Sequence, residues 1–219
     1  MQMLSTRGAA AVTPSMAILR GLAPDGGLYV PASFPAFTLS EITAMADMTY
    51  QQRAYTVLSR FLPDFEEGEL KDAIAGAYGT GFDCEAVAPM AKVGSWAHAL
   101  ELWHGPTLAF KDMALQLLPY LLTLSGKKHG ETREVFILVA TSGDTGKAAL
   151  EGFMNELMAV YEVEFGGSRN AIFRLKENWG FLHDRFEGCD KLWKRLKKST
   201  DPVEFKAITD EIFHTLPLR

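Results

Sequence analysis

The sequence predicts an α/β fold for the N-terminal part of the chain, followed by an all-α helical tail. The continuous apolar run Glu134–Ala140 is typical of a buried parallel strand, and it leads through a glycine-rich loop into Lys147–Leu150, which is in helical phase. From residue 154 to the end, apolar residues keep helical spacing. Because no further strand–helix unit follows Phe153, we expect the α/β fold to be incomplete.

The charge balance differs between these two parts of the chain. The 219 residues carry 22 Lys and Arg against 27 Asp and Glu, a net charge of −5, which argues against a generally basic nucleic-acid-binding protein. Residues 1–153 hold the whole acidic excess, and residues 154–219 are balanced. We therefore predict two domains, 1–153 and 154–219, in a chimeric chain that arose by fusion, truncation or sequence misassembly near Phe153–Met154.

The remaining composition predicts a cytoplasmic protein without a metal site. Cys84 and Cys189 lack the spacing of a zinc or redox pair, and two lone cysteines fit a reducing compartment. The five histidines show no paired ligand spacing. The start of the chain shows no signal-peptide pattern, and the longest apolar stretch, Met113–Leu124, is shorter than the roughly 20 residues of a membrane span.

The first 80 residues combine a tight turn with two capped helices. Ala23–Gly27 carries Pro and two Gly and predicts a turn that leads into a short extended segment, Leu28–Val30. Thr49 and Gln52 have the spacing of a capping box before a helix over 54–62. The pair Asp64 and Glu67 repeats that spacing, and we expect it to begin a helix over 70–78.

A strand, a loop and a helix are predicted ahead of the apolar run. Ala99–Trp103 has the character of a strand, and His104–Thr107 that of a loop. Phe110–Leu124 predicts one helix, kinked or loosened at Pro119 because proline lacks the amide N–H. In the tail, Gly166 and Gly167 break a helix, and we expect Ser168 to cap the long amphipathic stretch that follows.

The loop after the apolar run is the first candidate binding site, and its residues are Ser142, Gly143, Asp144, Thr145 and Gly146. Glycines allow the backbone to approach a ligand closely, and amide N–H groups at a helix start carry partial positive charge. The hydroxyls of this loop can also donate to a carboxylate or a phosphate. The alternative is a plain turn in which Asp144 or Thr145 merely caps the helix.

Lys111 is the second candidate. At the start of a helix a lysine faces the unfavourable end of the dipole, which lowers the pKa of the ammonium and favours the neutral amine needed for Schiff-base chemistry. The alternative is a surface lysine paired with Asp112.

Four blocks of the sequence, in order and at the family's spacing, resemble threonine synthase. The resemblance covers residues 1 to about 153. The blocks are Ser5–Gly8, Gly21–Pro31, Glu101–Asp112 and Ala140–Gly146.

This resemblance implies a pyridoxal-phosphate enzyme of fold type II that converts O-phosphohomoserine and water to threonine and phosphate. It implies that Lys111 forms the Schiff base with the cofactor and moves protons during the reaction. It also implies that Ser142–Gly146 lies against the cofactor ring and the substrate carboxylate, with Asp144 where many relatives carry Asn. The family continues with further strand–helix units, so we expect a truncated enzyme with impaired or no activity.

The tail is similar to the C-terminal helical domain of tRNA-dihydrouridine synthases over residues 154–219. The similarity rests on Gly166–Trp179 and on the basic run that follows. The candidate nucleic-acid contacts are Lys194, Arg195, Lys197 and Lys198. They imply weak tRNA contact, and the alternative function is a tRNA-binding module fused to an inactive enzyme fragment. A solvated helix face balanced by nearby acids is the plainer interpretation. The oligomeric state stays open.

Overall fold

The computed structural model describes residues 1–133 and 143–218. The helices are α1 (Pro14–Arg20), α2 (Leu39–Ala44), α3 (Tyr50–Phe61), α4 (Glu67–Ala77), α5 (Asp112–Leu115), α6 (Leu118–Lys128), α7 (Asp144–Glu164), α8 (Ser168–Leu182), α9 (Asp190–Lys198) and α10 (Pro202–Thr215). The strands are β1 (Met3–Ser5), β2 (Tyr29–Pro31), β3 (Met90–Val93) and β4 (Ala97–Leu100). The protein is thus a mixture of helix and sheet.

The described residues fall into two compact units. The first contains residues 1–80 and 117–133, and the second contains residues 81–116 and 143–218. Each unit holds one two-stranded antiparallel sheet: β1 pairs with β2, and β3 pairs with β4. The apolar run 134–140, expected to form a parallel strand, lies outside the described residues.

The first unit is built on helix packing. Helix α1 packs against α6, and α4 packs against both α3 and α6. The buried face of α4 consists of Leu70, Ala73, Ile74 and Ala77, at the spacing that places four side chains on one side of a helix. Next to this face, a Cβ at Gly76 would lie 2.6 Å from the Tyr120 ring, so glycine there leaves room for this ring between α4 and α6.

The two capping predictions in this unit had different outcomes. The box at Thr49 is confirmed, because its hydroxyl accepts from the Gln52 amide at 3.2 Å and the Gln52 side chain accepts from the Thr49 amide at 2.9 Å. The box at Asp64 is wrong: the helix begins after Glu66, whose amide donates to Glu69. Asp64 instead accepts from the amide and hydroxyl of Ser15, at 3.0 and 2.6 Å. Because the Asp64 carboxylate accepts from Ser15, which is distant in the sequence, it does not cap α4.

The helix predicted over 110–124 is two helices, α5 and α6. The break falls at Gln116 and Leu117, and Pro119 lies in the first turn of α6. Proline has no N–H to donate and its ring collides with the carbonyl four residues earlier, so it is tolerated in a first turn and disfavoured inside a helix. The proline therefore starts a helix here, where we expected it to kink one. Likewise β4 ends at Leu100, short of the expected Trp103.

The described chain from residue 143 onwards is helical apart from its connections and one isolated bridge between Phe186 and Leu218. Helix α7 runs for 21 residues and passes through the predicted junction at Phe153–Met154 without interruption. A continuous helix is compatible with a junction between sequences of different origin. The domain boundary at residue 153 stays a prediction.

Helices α8, α9 and α10 enclose the main core of the second unit, with side chains of α7 packed against it. Trp179 is completely buried and meets Phe213 edge to face, with ring centroids 5.5 Å apart. Gly166 and Gly167 separate α7 from α8 with φ of 71° and 133°, which favour glycine. The expectation that Ser168 caps α8 is wrong, since Gly167 is the capping residue and Ser168 is the first helical one.

Within the described residues, no helix combines the length and the apolar character needed to cross a membrane.

Candidate active site at Lys111

The loop before Lys111 is organised by one buried carboxylate, that of Asp112. Its Oδ2 accepts from the Thr107 amide at 2.9 Å and from the Ala109 amide at 3.5 Å, while Oδ1 accepts from the Thr107 hydroxyl at 2.9 Å. Asp112 has no exposed surface. Burial raises the pKa of this carboxyl above its usual range, and the hydrogen bonds from Thr107 oppose the rise. The carboxylate thus holds the chain that leads into Lys111.

Two backbone features make this loop tight. A Cβ at Gly105 would lie 2.5 Å from the Asp112 Cβ and 2.6 Å from its Oδ2, so only glycine fits without a shift. Leu108 has a φ of +59°, an uncommon conformation for a residue with a side chain, and its amide donates to the Gly105 carbonyl at 3.0 Å. Leu108 is half exposed, so its conformation serves the turn and not a core contact.

Lys111 itself is partly buried and precedes α5. Its Nζ lies 4.7 Å from the centroid of the Phe110 ring. The expected alternative, a pair with Asp112, is wrong, because the donors that reach Asp112 come from Thr107, Ala109 and Gln116. Helix α5 is also only four residues long, so no long helix dipole acts on the Lys111 ammonium.

The second candidate site lies at the start of α7. Gly143 caps the helix, Asp144 is its first residue, and the Gly146 amide donates to the Gly143 carbonyl at 3.2 Å. Thr145 is exposed and Gly146 is buried. Ser142 lies outside the described residues. The described part of the loop is therefore a helix N-terminus. Its capping residue is the extended Gly143, whereas the alternative predicted a cap by Asp144 or Thr145.

The two candidate segments lie on elements that contact each other. Helix α5 packs against α7. The side-chain amide of Gln116 joins them, donating to Asp112 Oδ1 at 3.3 Å and to the Ala148 carbonyl at 3.5 Å. Gln116 carries no signal in the sequence, since a lone glutamine four residues after an aspartate has no distinctive pattern.

A charged cluster at His104 was also missed. Its Nδ1 lies 2.6 Å from Asp83 Oδ1 and its Nε2 lies 2.9 Å from Glu101 Oε2. The hydrogen bond to Glu101, followed by that to Asp83, raises the pKa of the imidazole above its ordinary value. Both ring nitrogens then act as donors. Glu101 three residues earlier was a visible signal, but Asp83 reaches the ring only through the tertiary fold.

The basic residues of the tail lie together on α9. Lys194, Arg195, Lys197 and Lys198 are all exposed. Two of them already have partners: Arg195 forms an ion pair with Glu211 at 3.0 Å, and Lys197 lies 5.1 Å from the Trp193 ring centroid. Across the described ranges, no group of three or more His, Cys, Asp or Glu side chains is placed to hold a metal ion.

The N-terminal part of the chain is similar to one class of known proteins, the threonine synthases. The family model described as "Threonine synthase N terminus" matches residues 2–78. The match to threonine synthases extends over the N-terminal ~150 residues.

Particular relatives and structures agree with this class. Threonine synthase of Pseudomonas aeruginosa is 46% identical over 154 residues, which cover 69% of this chain and 32% of that protein. The crystal structure of a PLP-bound threonine synthase from Brucella melitensis is similar with a TM-score of 0.66 and 41% identity, over 70% of this chain and 33% of that one. Threonine synthase from Escherichia coli gives a TM-score of 0.61 at 34% identity, over 70% and 34%. The chain thus spans about a third of the length of the relatives it matches.

The packing at Gly105 leads to a first prediction. Gly105→Ala forces its new methyl group against Asp112 and should destabilise the protein by about 1–3 kcal/mol, the usual cost of overpacking. Gly81→Ala is the matched control, because a Cβ there meets nothing within 4 Å, and it should change stability by less than about 1 kcal/mol. Urea unfolding of both variants measures the difference. Equal stability of the two variants would contradict the role assigned to Gly105.

The His104 cluster leads to a second prediction, on pH. Because the folded-state pKa of His104 is raised, its interactions contribute stability that is fully present below the unfolded-state value of about 6.5 and is lost as pH rises through the folded-state value. NMR titration should give a pKa above the ordinary one. Asp83→Asn should lower it, while Glu85→Gln, which alters an exposed acid nearby, should leave it unchanged. A His104 that titrates at its ordinary pKa would refute the cluster.

Proposed function

We propose that this chain carries the lysine-bearing part of a threonine synthase active site, in a PLP-dependent enzyme of fold type II. The reaction is the conversion of O-phosphohomoserine and water to threonine and phosphate. The proposal rests on two neighbouring features. Lys111 lies between the loop that Asp112 holds and helix α5, and α5 contacts α7, the helix that begins with the glycine-rich segment. The similarity to threonine synthases over the N-terminal ~150 residues supports it.

The residues present suit a cofactor held through an imine. Lys111 Nζ lies 4.7 Å from the Phe110 ring centroid, and the carboxylate next to it in the sequence accepts from other donors, so we propose that its amine reacts with an aldehyde. Four donors bind the carboxylate of Asp112, so this neighbouring acid does not form an ion pair with the Lys111 ammonium. When bound, pyridoxal phosphate supplies an electron sink that makes protons next to the amino group acidic.

The chain's own groups would act as follows. Lys111 Nζ would take and return protons on the substrate carbons, and its position is held by the hydrogen bonds of Thr107 and Ala109 to Asp112. The first turn of α7, with the exposed Thr145, would face the substrate carboxylate with a helix N-terminus and a hydroxyl. Ser142 and the side chain of Asp144 belong to the same proposed binding loop.

The 219 residues by themselves are proposed to have little or no turnover, because they span about a third of the length of the matched threonine synthases. The domain division at residue 153 and a cytoplasmic location are part of the same proposal. Free Cys84 and Cys189 support a reducing compartment.

Lys111 provides the test of this proposal. The purified protein incubated with pyridoxal phosphate should develop a visible absorption band, and borohydride reduction should fix the cofactor to the peptide that contains Lys111. Lys111→Ala should abolish both signals. Lys92→Ala, which removes an exposed lysine on β3, should leave them intact.

Phosphate release from O-phosphohomoserine measures turnover separately from cofactor binding. Little or no release together with a Lys111-dependent band is the expected pair of results. Equal labelling in the Lys111→Ala and Lys92→Ala variants would show that the cofactor reacts with lysines at random, and the proposed site would be wrong.

A second candidate function concerns the tail. We propose, as the alternative, a module that contacts tRNA, which rests on the resemblance seen in the sequence of residues 154–219 and not on the comparisons with known proteins. The exposure of Lys194, Arg195, Lys197 and Lys198 along one helix favours it. Lys176 holds the end of that helix by donating to the carbonyls of Lys197, at 3.1 Å, and Ser199, so the basic helix is anchored. The ion pair of Arg195 with Glu211 opposes it.

Salt dependence tests this tail function. If the four basic residues contact phosphates, their combined replacement by Gln should reduce the slope of log affinity for tRNA against log salt by about three, because each contact contributes about 0.7–0.9. A variant with Lys92 and Lys127 replaced by Gln is the control for loss of charge elsewhere. Identical slopes in the two variants would leave the acid-balanced helix face as the correct interpretation.

A further inference from the structure

Glu151, in the middle of α7, is a buried carboxyl group with one unused oxygen. Its exposed fraction is 1%. The Asn155 side-chain amide donates to Oε1, whereas Oε2 has no hydrogen-bond partner among the described residues. A buried polar atom without a partner is costly, and in folded proteins such atoms are few and call for an explanation. The surroundings of Oε2 therefore matter, because they determine what this oxygen can bind.

Trp179, on α8, presents a matching donor without an acceptor. The residue has no exposed surface and its ring packs against Phe186 and Phe213. Its Nε1 has no hydrogen-bond partner in the described part of the chain. Buried tryptophans usually find an acceptor for this N–H. One unused acceptor and one unused donor therefore occur in the same unit.

Both residues line one cavity, which is bordered by α7, α8 and α10 and has a volume of about 210 Å³. Its wall is mainly apolar and includes Met154, Met158 and Leu175. A dry cavity of about 150 Å³ can bind benzene, whereas sites for drug-sized ligands begin at about 300 Å³. The volume therefore suits a molecule with a single ring.

The charges around Glu151 favour an uncharged ligand. Burial raises the pKa of Glu151 to about 7, while Lys206 lowers it and Asp210 raises it. Lys206 is already paired with Asp210 at 2.8 Å. The hydrogen bond from Asn155 to Oε1 also stabilises the carboxylate. A charged ligand would lose its hydration in a mainly apolar cavity whose lysine, Lys206, is already paired with Asp210.

We propose that this cavity binds a small, uncharged, single-ring molecule that carries a hydroxyl group. The ring fills the apolar wall. A hydroxyl is both a donor and an acceptor, so it can donate to Glu151 Oε2 or accept from Trp179 Nε1. This site is separate from the proposed function at Lys111 and does not depend on it.

Phenol and toluene form a matched pair of probes, because they share the ring and differ by a hydroxyl in place of a methyl group. NMR spectra of the ¹⁵N-labelled full chain report binding at the indole N–H of Trp179, which the Trp179→Phe variant assigns. Phenol should bind saturably and about three- to tenfold more tightly than toluene, the ratio expected for a satisfied buried hydrogen bond. The Trp179 N–H signal should shift with phenol.

Two variants locate the binding. Met158→Phe fills the cavity and should abolish binding of both probes, whereas Val163→Phe, at an 87%-exposed position of the same helix, should leave it unchanged. Trp179→Phe removes the indole N–H together with part of the ring, so the ratio of phenol to toluene affinity should shrink even where the larger cavity changes the affinity for both probes. This second variant decides the matter if Met158→Phe fails to fold.

Three outcomes would overturn the proposal. Absence of saturable binding by either probe would mean that the cavity holds only water. Equal affinity for phenol and toluene would remove the role of the hydroxyl. Unchanged binding in both Met158→Phe and Trp179→Phe would place the probe elsewhere on the protein.

Discussion

The buried carboxylate of Asp112 is the interaction on which the candidate site depends. In water, an aspartate next to a lysine in the sequence can form an ion pair with the lysine ammonium. Here its oxygens accept from Thr107, Ala109 and Gln116, and a carboxylate without exposed surface needs those donors. The tight turn at Gly105 and the position of Lys111 follow from this network. So does the contact between α5 and α7, because Gln116 also donates to Ala148.

Helix α7 connects the features that matter for function in the second unit. Its start carries the described part of the glycine-rich loop, its Ala148 carbonyl accepts from Gln116, and its middle supplies Glu151 to the cavity. The Gln116 amide thus joins the Asp112 network to the α7 backbone. The predicted junction at Phe153 falls within this helix.

The sequence predicted the parts of the fold that depend on near neighbours. The capping box of Thr49 and Gln52 spans three residues, and the two glycines between α7 and α8 act through their own backbone angles. Lys111 and the loop 142–146 were found as candidates from their residue types and their places at helix starts, and the resemblance of their segments to a known family then gave them roles. Where the prediction failed, as at Asp64, a stronger partner lay far away in the chain: Ser15 is 49 residues distant.

By itself, then, the sequence determined the Thr49 cap, the helical character of the chain's C-terminal region and the candidate residues, since propensities, caps and glycine angles act over a few residues. Only the tertiary structure decided which partners the polar side chains take. It assigned Asp112 to the loop instead of to Lys111, joined His104 to Asp83, and brought Glu151 and Trp179 to one cavity without partners. The physical reason is that burial makes each polar atom depend on the donors and acceptors that packing places beside it, and packing joins residues that are distant in sequence.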